Sequence, residues 1–395
     1  MDQIRNDLRI LWGSPLPPTH SGVADYATEL LPELAKLARV RVLEPPDWTI
    51  PGNWSSKLET VPADTPAEDD EIVLVHLGNN PHHRWLLHRL GARERIVVVL
   101  HDTVLHHLLV ESTAALGDHR GYVNSLEAAH GNQGHALAAA RKVGHHGRLD
   151  PFLFPARGPF LDGAAAVLVH SRWAEELIQK ERPRIAVGRV GLSVADPQPV
   201  DRTTVRSGLG LTQTEVVLMH LGFLTQEKGL EEIITGVAAA NKAGVAVRLV
   251  VVGEGEGMNP LRNAAALVGI DDRLMVTGWV EPELFPSLPA AADLGIAFRT
   301  PSAGETSAAA LRFFACGVPV AVGGVRQFLE WPEPAAPRLT PGPSAPAELA
   351  RLLAEIGTVT WGSRCRAARL IYDRSHRPDE AAKAMVTFLK EVALG

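Results

Sequence analysis

The sequence predicts an α/β protein of two parallel-sheet domains, and three observations predict it. Short runs rich in Val, Ile and Leu alternate with segments of helical spacing, the pattern of right-handed βαβ units. A polar, proline-bearing stretch at 194–202 interrupts the alternation, after which it restarts. The 395 residues are too many for one average domain and suit two of about 180 to 200.

Taken in order, strands are expected at 8–13, 39–43, 72–77, 96–100, 165–169 and 185–190, then at 216–221, 247–252, 274–277, 294–298 and 319–322. The first strand runs into a Gly/Pro/Ser loop and a helix whose apolar residues Val23, Tyr26, Ala27, Leu30, Leu31, Leu34 and Leu37 fall on one face. The last segment, 378–394, has helical spacing through Ala381, Ala382, Met385, Phe388, Leu389 and Val392. The expected division is 1–197, 198–377 and a C-terminal helix, 378–395, packing back on the N-terminal domain.

Composition narrows the function. A net charge of −6 with dispersed Lys and Arg argues against nucleic acid as the main partner. No polybasic run marks a membrane anchor, although peripheral membrane contact stays compatible with the sequence. The first strand begins at once and no apolar stretch is long enough for a bilayer, so neither a signal peptide nor a membrane span is expected. Two cysteines, Cys316 and Cys365, make neither a disulfide framework nor a zinc motif, and a reducing cytoplasm is the expected setting. Sixteen histidines are present, many of them in the first half (His76, His82, His83, His88, His101, His106, His107, His145, His146). None has the spacing of a metal motif, so no metal is expected. The oligomeric state is not encoded in any recognisable pattern.

In open parallel sheets ligands sit beyond the carboxyl ends of the strands, so motifs there carry weight. The most informative is 293–322, where a strand ends in Pro301, Ser302 and Gly304 and Glu305, Thr306 and Ser307 open an Ala-rich helix that stops at Gly317. Free amides at such a helix mouth favour an anion, and a phosphate is the expected guest. Ser21 and Gly22 open the first helix in a similar way. After the strand at 216–221, Gly222 and the later Lys228-Gly229 place a lysine where a leaving anion would need neutralising. His76-Leu77-Gly78-Asn79-Asn80 ends another strand, where imidazole and amides suit hydroxyl groups and Asn80 equally suits a helix cap before Pro81. Gly253-Glu254-Gly255-Glu256-Gly257 lacks dinucleotide-fingerprint spacing and reads as a tight turn.

With these residues in hand the chain resembles the retaining, nucleotide-sugar-dependent glycosyltransferases of the GT-B fold, glycosyltransferase family 4 or glycosyl transferases group 1. The resemblance runs over essentially the whole chain, through Ser21-Gly22-Val23-Ala24-Asp25-Tyr26, His101-Asp102, His170-Ser171, Gly222 with Lys228-Gly229, Gly253-Glu254-Gly255, Gly278-Trp279 and Gly304-Glu305-Thr306-Ser307 leading to Ala315-Cys316-Gly317. It implies two Rossmann-like parallel-sheet domains facing a central cleft, the second holding a nucleoside-diphosphate sugar and the first a hydroxyl acceptor. It implies a hexosyltransferase that retains anomeric configuration and requires no cofactor. By position, Lys228 and the amides near Thr306 and Ser307 would take the diphosphate, with Gly22, Gly222 and Gly304 letting backbone approach it. Glu305 would lie near the donor sugar, His101 would face the transferred sugar, and Gly278, Trp279 and Val280 would meet the nucleobase. His76, Asn79, Asn80 and His170 are the acceptor-side candidates.

Three positions depart from the family pattern. Phe223 stands where the family usually has arginine, Arg312 where it has its second glutamate, and Glu305 is offset by one residue from the first glutamate. The alternatives are a catalytically silent nucleotide-sugar-binding protein, or another enzyme of the same fold such as a nucleotide-sugar epimerase or a phosphorylase. The sequence leaves the donor's nucleotide and sugar, and the acceptor, unspecified.

Overall fold

Near-continuous Val/Ile/Leu runs bury both faces of a strand, and such strands form parallel sheets covered by helices on each side. The computed structural model, which describes residues 8–46, 48, 58–197, 201–281 and 284–394, has two such sheets. The chain divides into one unit of Met1–Ser193, Ala303–Thr306 and Pro378–Gly395, and a second of Val194–Ser302 and Ser307–Arg377. Part of the expected connection, 198–200, lies outside the described residues, as do 1–7 ahead of the first strand.

The first unit contains β1 (Arg9–Gly13), β2 (Arg39–Leu43), β3 (Glu59–Val61), β4 (Glu71–Leu77), β5 (Arg95–Leu100), β6 (Ala166–Val169) and β7 (Ala186–Arg189). They form a seven-stranded sheet in the order β3-β2-β1-β4-β5-β6-β7, every pair parallel. All seven residues of β4 are buried. Fully burying each Val, Ile or Leu side chain contributes about 1.5–3 kcal/mol. Helix Gly22–Leu34 starts at Ser21, whose hydroxyl accepts from the Val23 amide at 3.2 Å. Leu37, expected on the same face, falls beyond the helix end and is half-buried in the turn that follows. The terminal helix Pro378–Leu394 belongs to this unit and buries Ala381, Ala382, Met385, Val386 and Leu389. A methyl group at Gly188 on β7 would stand 2.5 Å from the Phe388 ring, so this strand is glycine where the helix crosses it.

The second unit contains β8 (Val216–Leu221), β9 (Val247–Val252), β10 (Leu274–Gly278), β11 (Leu294–Ala297), β12 (Val320–Gly323) and β13 (Arg338–Leu339) in the order β10-β9-β8-β11-β12-β13, again all parallel. At the amino ends of β8 and β11 the buried Arg206 guanidinium binds Asp293 Oδ2 at 2.7 Å, and the same oxygen accepts from the Val217 amide at 2.8 Å. Pairing and hydrogen bonds together compensate the burial of the Arg206 charge and the partial burial of Asp293.

Both sheets reverse strand order once, between β1 and β4 and between β8 and β11, which makes these the switch points where such folds bind ligands. Two strands, β3 and β13, were not expected from sequence. Each is a short edge strand of three and two residues with no apolar run of its own, held only by pairing to β2 and β12.

Candidate functional site

In the second unit the chain leaves β8 at His220-Leu221 and passes through Gly222, whose φ is 97° and whose amide donates to Val252 O at 2.9 Å. The following loop is held by the glycine-rich turn: Leu224 N donates to Glu254 O at 2.8 Å and Gly257 N to Leu224 O at 3.1 Å. Gly253 and Gly255 both have positive φ, and a side chain at either would run into backbone of Gly222 or Leu224. That run is therefore a packing device of this loop. The loop ends in a short turn, Gln226–Lys228, after which Gly229 at φ 64° admits helix Leu230–Lys242. Lys228 is buried.

β11 comes alongside at the same edge. The Thr300 amide donates to Glu227 O at 2.8 Å, and the Phe298 ring fills the space a side chain would need at Gly229. Arg299 and Lys228 thus flank two tied backbone segments. His220 is buried between these elements, and its ring Nδ1 has no partner among the described residues. Burial first, then the charges of Lys228 and Arg299, holds its imidazole well below the ordinary histidine value, so the ring is neutral.

The Ala-rich helix spans Ala308–Ala315 with Ser307 as its N-cap, its hydroxyl accepting from Ala310 N at 3.3 Å. Glu305 and Thr306 therefore precede the helix rather than open it. The first-turn amides that helix geometry leaves without an intrahelical acceptor belong to Ala308 and Ala309. Gly304, at φ 79°, is needed by the protein's own packing, because a side chain there would strike Thr103 Oγ1 and the Trp173 ring. Ala303 O accepts from the Thr103 amide at 2.9 Å and its hydroxyl at 2.8 Å. Arg312 is buried, with its guanidinium 5.3 Å from the Phe285 ring centroid. It does not face solvent. Phe223 and Trp279 are exposed, Val280 is half-buried, and Gly278 takes φ 72° while its carbonyl accepts from Gly253 N at 3.0 Å.

In the first unit the switch point is filled with rings. Trp12, Tyr26, His76, His101 and His170 gather there, with centroids 4.0 Å apart for Trp12 and His76, 5.3 Å for Tyr26 and His101, and 4.9 Å for His101 and His170. His76 Nδ1 and His101 Nε2 are 3.0 Å apart. Burial, reinforced by the neighbouring imidazoles, keeps both rings far below the usual histidine value. Burial also raises the Tyr26 phenol, whose oxygen has no partner among the described residues. Gly22 is exposed at the helix start, and a methyl group there would meet nothing within 4 Å.

The acceptor-side candidates are not gathered on an open surface. His76 is fully buried and bonded to His101, so it faces no hydroxyl directly. His170 donates from Nδ1 to Val190 O at 2.9 Å. Asn80 caps the turn beginning at Pro81, accepting from His82 N at 3.0 Å, and Asn79 accepts from His107 N at 2.8 Å while its own amide binds Asp102 Oδ2 at 2.7 Å. Their side-chain oxygens serve the backbone of the first unit. Sequence reasoning passed over Arg299, His220 and the Trp12/Tyr26 rings. Arg299 follows a strand that borders the switch point, which was a usable signal. Among the described residues no three His, Cys, Asp or Glu side chains are grouped to hold a metal, and no helix is long and apolar enough to cross a membrane.

Residues 215–356 match the family model described as glycosyl transferases group 1. The matched stretch contains Lys228, Arg299, Ser307 and the β8/β11 switch point. The chain is 29% identical over 163 residues to the 2-deoxystreptamine glucosyltransferase of Streptomyces kanamyceticus, the alignment covering 41% of each protein. It is 37% identical over 121 residues to the GDP-mannose-dependent alpha-(1-6)-phosphatidylinositol dimannoside mannosyltransferase of Mycobacterium tuberculosis, covering 30% of each. The chain spans less than half the length of these curated relatives. Likeness of fold extends further. Sucrose-phosphate synthase of Thermosynechococcus elongatus superposes with a TM-score of 0.67 at 15% identity, over 98% of this chain and 99% of that one. Anabaena HepE in complex with UDP and glucose superposes with a TM-score of 0.64 at 16% identity, over 97% and 99%. The matched stretch therefore sits in a chain of GT-B fold, two Rossmann-like parallel-sheet units.

Proposed function

We propose that this chain transfers a sugar from a nucleoside-diphosphate sugar to a hydroxyl acceptor, with retention at the anomeric carbon. The observation that carries the reading is the β8/β11 switch point of the stretch that matches the group 1 model, where Lys228 and Arg299 flank a neutral His220 and a helix begins at Ser307. A diphosphate meets there two cations and the amides of Ala308 and Ala309. Arg299 takes over the second positive charge that Phe223 does not supply. Glu305 lies near the donor sugar, Gly222 and Gly304 belong to the phosphate loops, and Gly278, Trp279 and Val280 meet the base. On the first unit, His101 faces the transferred sugar and the Gly22 turn, which has open space beside it, approaches the diphosphate.

In the reaction, the bond from the anomeric carbon to the diphosphate oxygen breaks while the acceptor oxygen bonds that carbon on the same face. The acceptor proton passes to the departing phosphate oxygen. Lys228, Arg299 and the helix amides stabilise the charge that develops on the leaving group more strongly than in the ground state. With cationic side chains in that role, no metal cofactor is required, and activity persists in a chelator.

The test is a thermal-stability panel with UDP, GDP, ADP and dTDP and their sugar conjugates, followed by acceptor screening with whichever donor binds. A ligand at about a hundred times its dissociation constant stabilises the fold by ~2.7 kcal/mol. Selective stabilisation by one nucleotide and formation of an α-configured product from an α-linked donor support the proposal. Binding without transfer turns the reading to a silent binding protein, and inverted product overturns retention.

A further inference from the structure

The first unit holds a buried imidazole pair whose geometry has a chemical direction. His76 Nδ1 and His101 Nε2 stand 3.0 Å apart, so one proton lies between them. Either His76 donates through Nδ1–H, or His101 donates through Nε2–H. The other nitrogen of His76 decides between these. His76 is fully buried and its Nε2 has no partner among the described residues. Were His101 the donor, neutral His76 would carry its own proton on Nε2, a buried N–H with no acceptor. A stranded N–H is costlier and rarer than a bare acceptor nitrogen. Two neighbouring rings follow the same tautomer: His83 donates from Nδ1 to His76 O at 2.8 Å, and His170 from Nδ1 to Val190 O at 2.9 Å.

We infer that His76 is a positioning residue that donates from Nδ1–H to His101 Nε2 and so fixes His101 as the Nδ1–H tautomer, a hydrogen-bond donor toward its ligand rather than a base. The ring of His101 is held in place by the edge of Tyr26, at 5.3 Å and 77°, and by His170 at 4.9 Å. Its backbone is fixed as well, the His101 amide donating to Leu77 O at 2.8 Å on the strand that carries His76. A donor fixed this way suits a sugar oxygen that gains negative charge or needs orientation, and it excludes proton abstraction by His101. The inference rests on the proposed role of His101 toward the transferred sugar, but the tautomer itself is a property of the protein without ligand.

Long-range ¹H–¹⁵N correlation spectra of the full chain, labelled at histidine and assigned with His101→Gln, read the tautomer directly. The expected pattern is Nδ1–H for both His76 and His101. An Nε2–H signal for His101 overturns the inference whether or not the protein transfers sugar. With the donor found by the stability panel, His76→Leu is expected to lower kcat about tenfold at nearly unchanged KM, the loss of one oriented hydrogen bond. His76→Asn places an amide donor near the lost Nδ1–H and is expected to recover most of that rate. Equal losses in the Leu and Asn variants, with folding intact, would reduce His76 to a packing residue and overturn the positioning role.

Discussion

The two units share a topology and part company in chemistry at the same place. Each reverses strand order beside its first strand, at β1/β4 and at β8/β11, and each presents a buried histidine on a strand there, His76 and His220. Around His76 the neighbours are the rings of Trp12, Tyr26, His101 and His170. Around His220 they include Lys228 and Arg299. The lesson is that a parallel sheet supplies the crevice, while the side chains brought to it decide its chemistry, packed rings in one unit and cations in the other.

The sharpest way to break that contrast is Lys228→Ala. Transfer is expected to fall by about a hundredfold or more, as when an electrostatic contact to a transition state is removed, while His101→Ala leaves nucleotide affinity in the stability panel unchanged. Equal loss of nucleotide binding in both variants would erase the division of labour between the units.

Next in size is acid sensitivity. His76, His83 and His220 are held neutral by burial, His83 at about 4, whereas in the unfolded chain each titrates near 6.5. Between those values the unfolded chain binds protons that the fold does not, so stability is complete above about pH 6.5 and is lost as pH falls. Each such histidine contributes about 1.4 kcal/mol per pH unit within its window. Two of the three belong to the first unit, and hydrogen-exchange protection factors are therefore expected to drop first in β4 and β5 on going from pH 7 to pH 5. Earlier opening of β8 would reverse that ranking. Urea midpoints of His83→Asn are expected to be less steep in pH than those of the parent.

Arg299→Ala is expected to weaken nucleotide diphosphate binding about tenfold, the scale of one charge-assisted hydrogen bond, and the corresponding monophosphate less. An unchanged ratio would take Arg299 out of the phosphate site. The smallest effect is expected from Trp279→Ala, a few-fold loss of nucleotide affinity with no change in melting temperature, since the ring is exposed.

Much of this was legible from residues alone. The alternation of apolar runs revealed two α/β halves because strands buried on both faces leave an unbroken hydrophobic signature. Lys228 and the Ser307 turn were legible because helix starts and glycine turns obey local rules. The edge strands β3 and β13 were not, since their pairing comes from a neighbour and not from their own composition. Asn80 read equally as a hydroxyl-binding amide and as a helix cap before Pro81, and in the fold its oxygen caps that turn while the Asn79 oxygen accepts from His107 N, an ambiguity that every Asn before a turn carries.

By itself the sequence determined the class of fold and the order of strands, turns and helix starts, because these follow from periodicity and local backbone geometry. Tertiary structure alone decided which distant residues share a site. It brought Arg299 beside the Lys228 turn through the Thr300–Glu227 bond, and it set His76 against His101 across adjacent strands 25 residues apart. Parallel sheets connect strands only through long crossovers, so such pairings have no local trace in the chain.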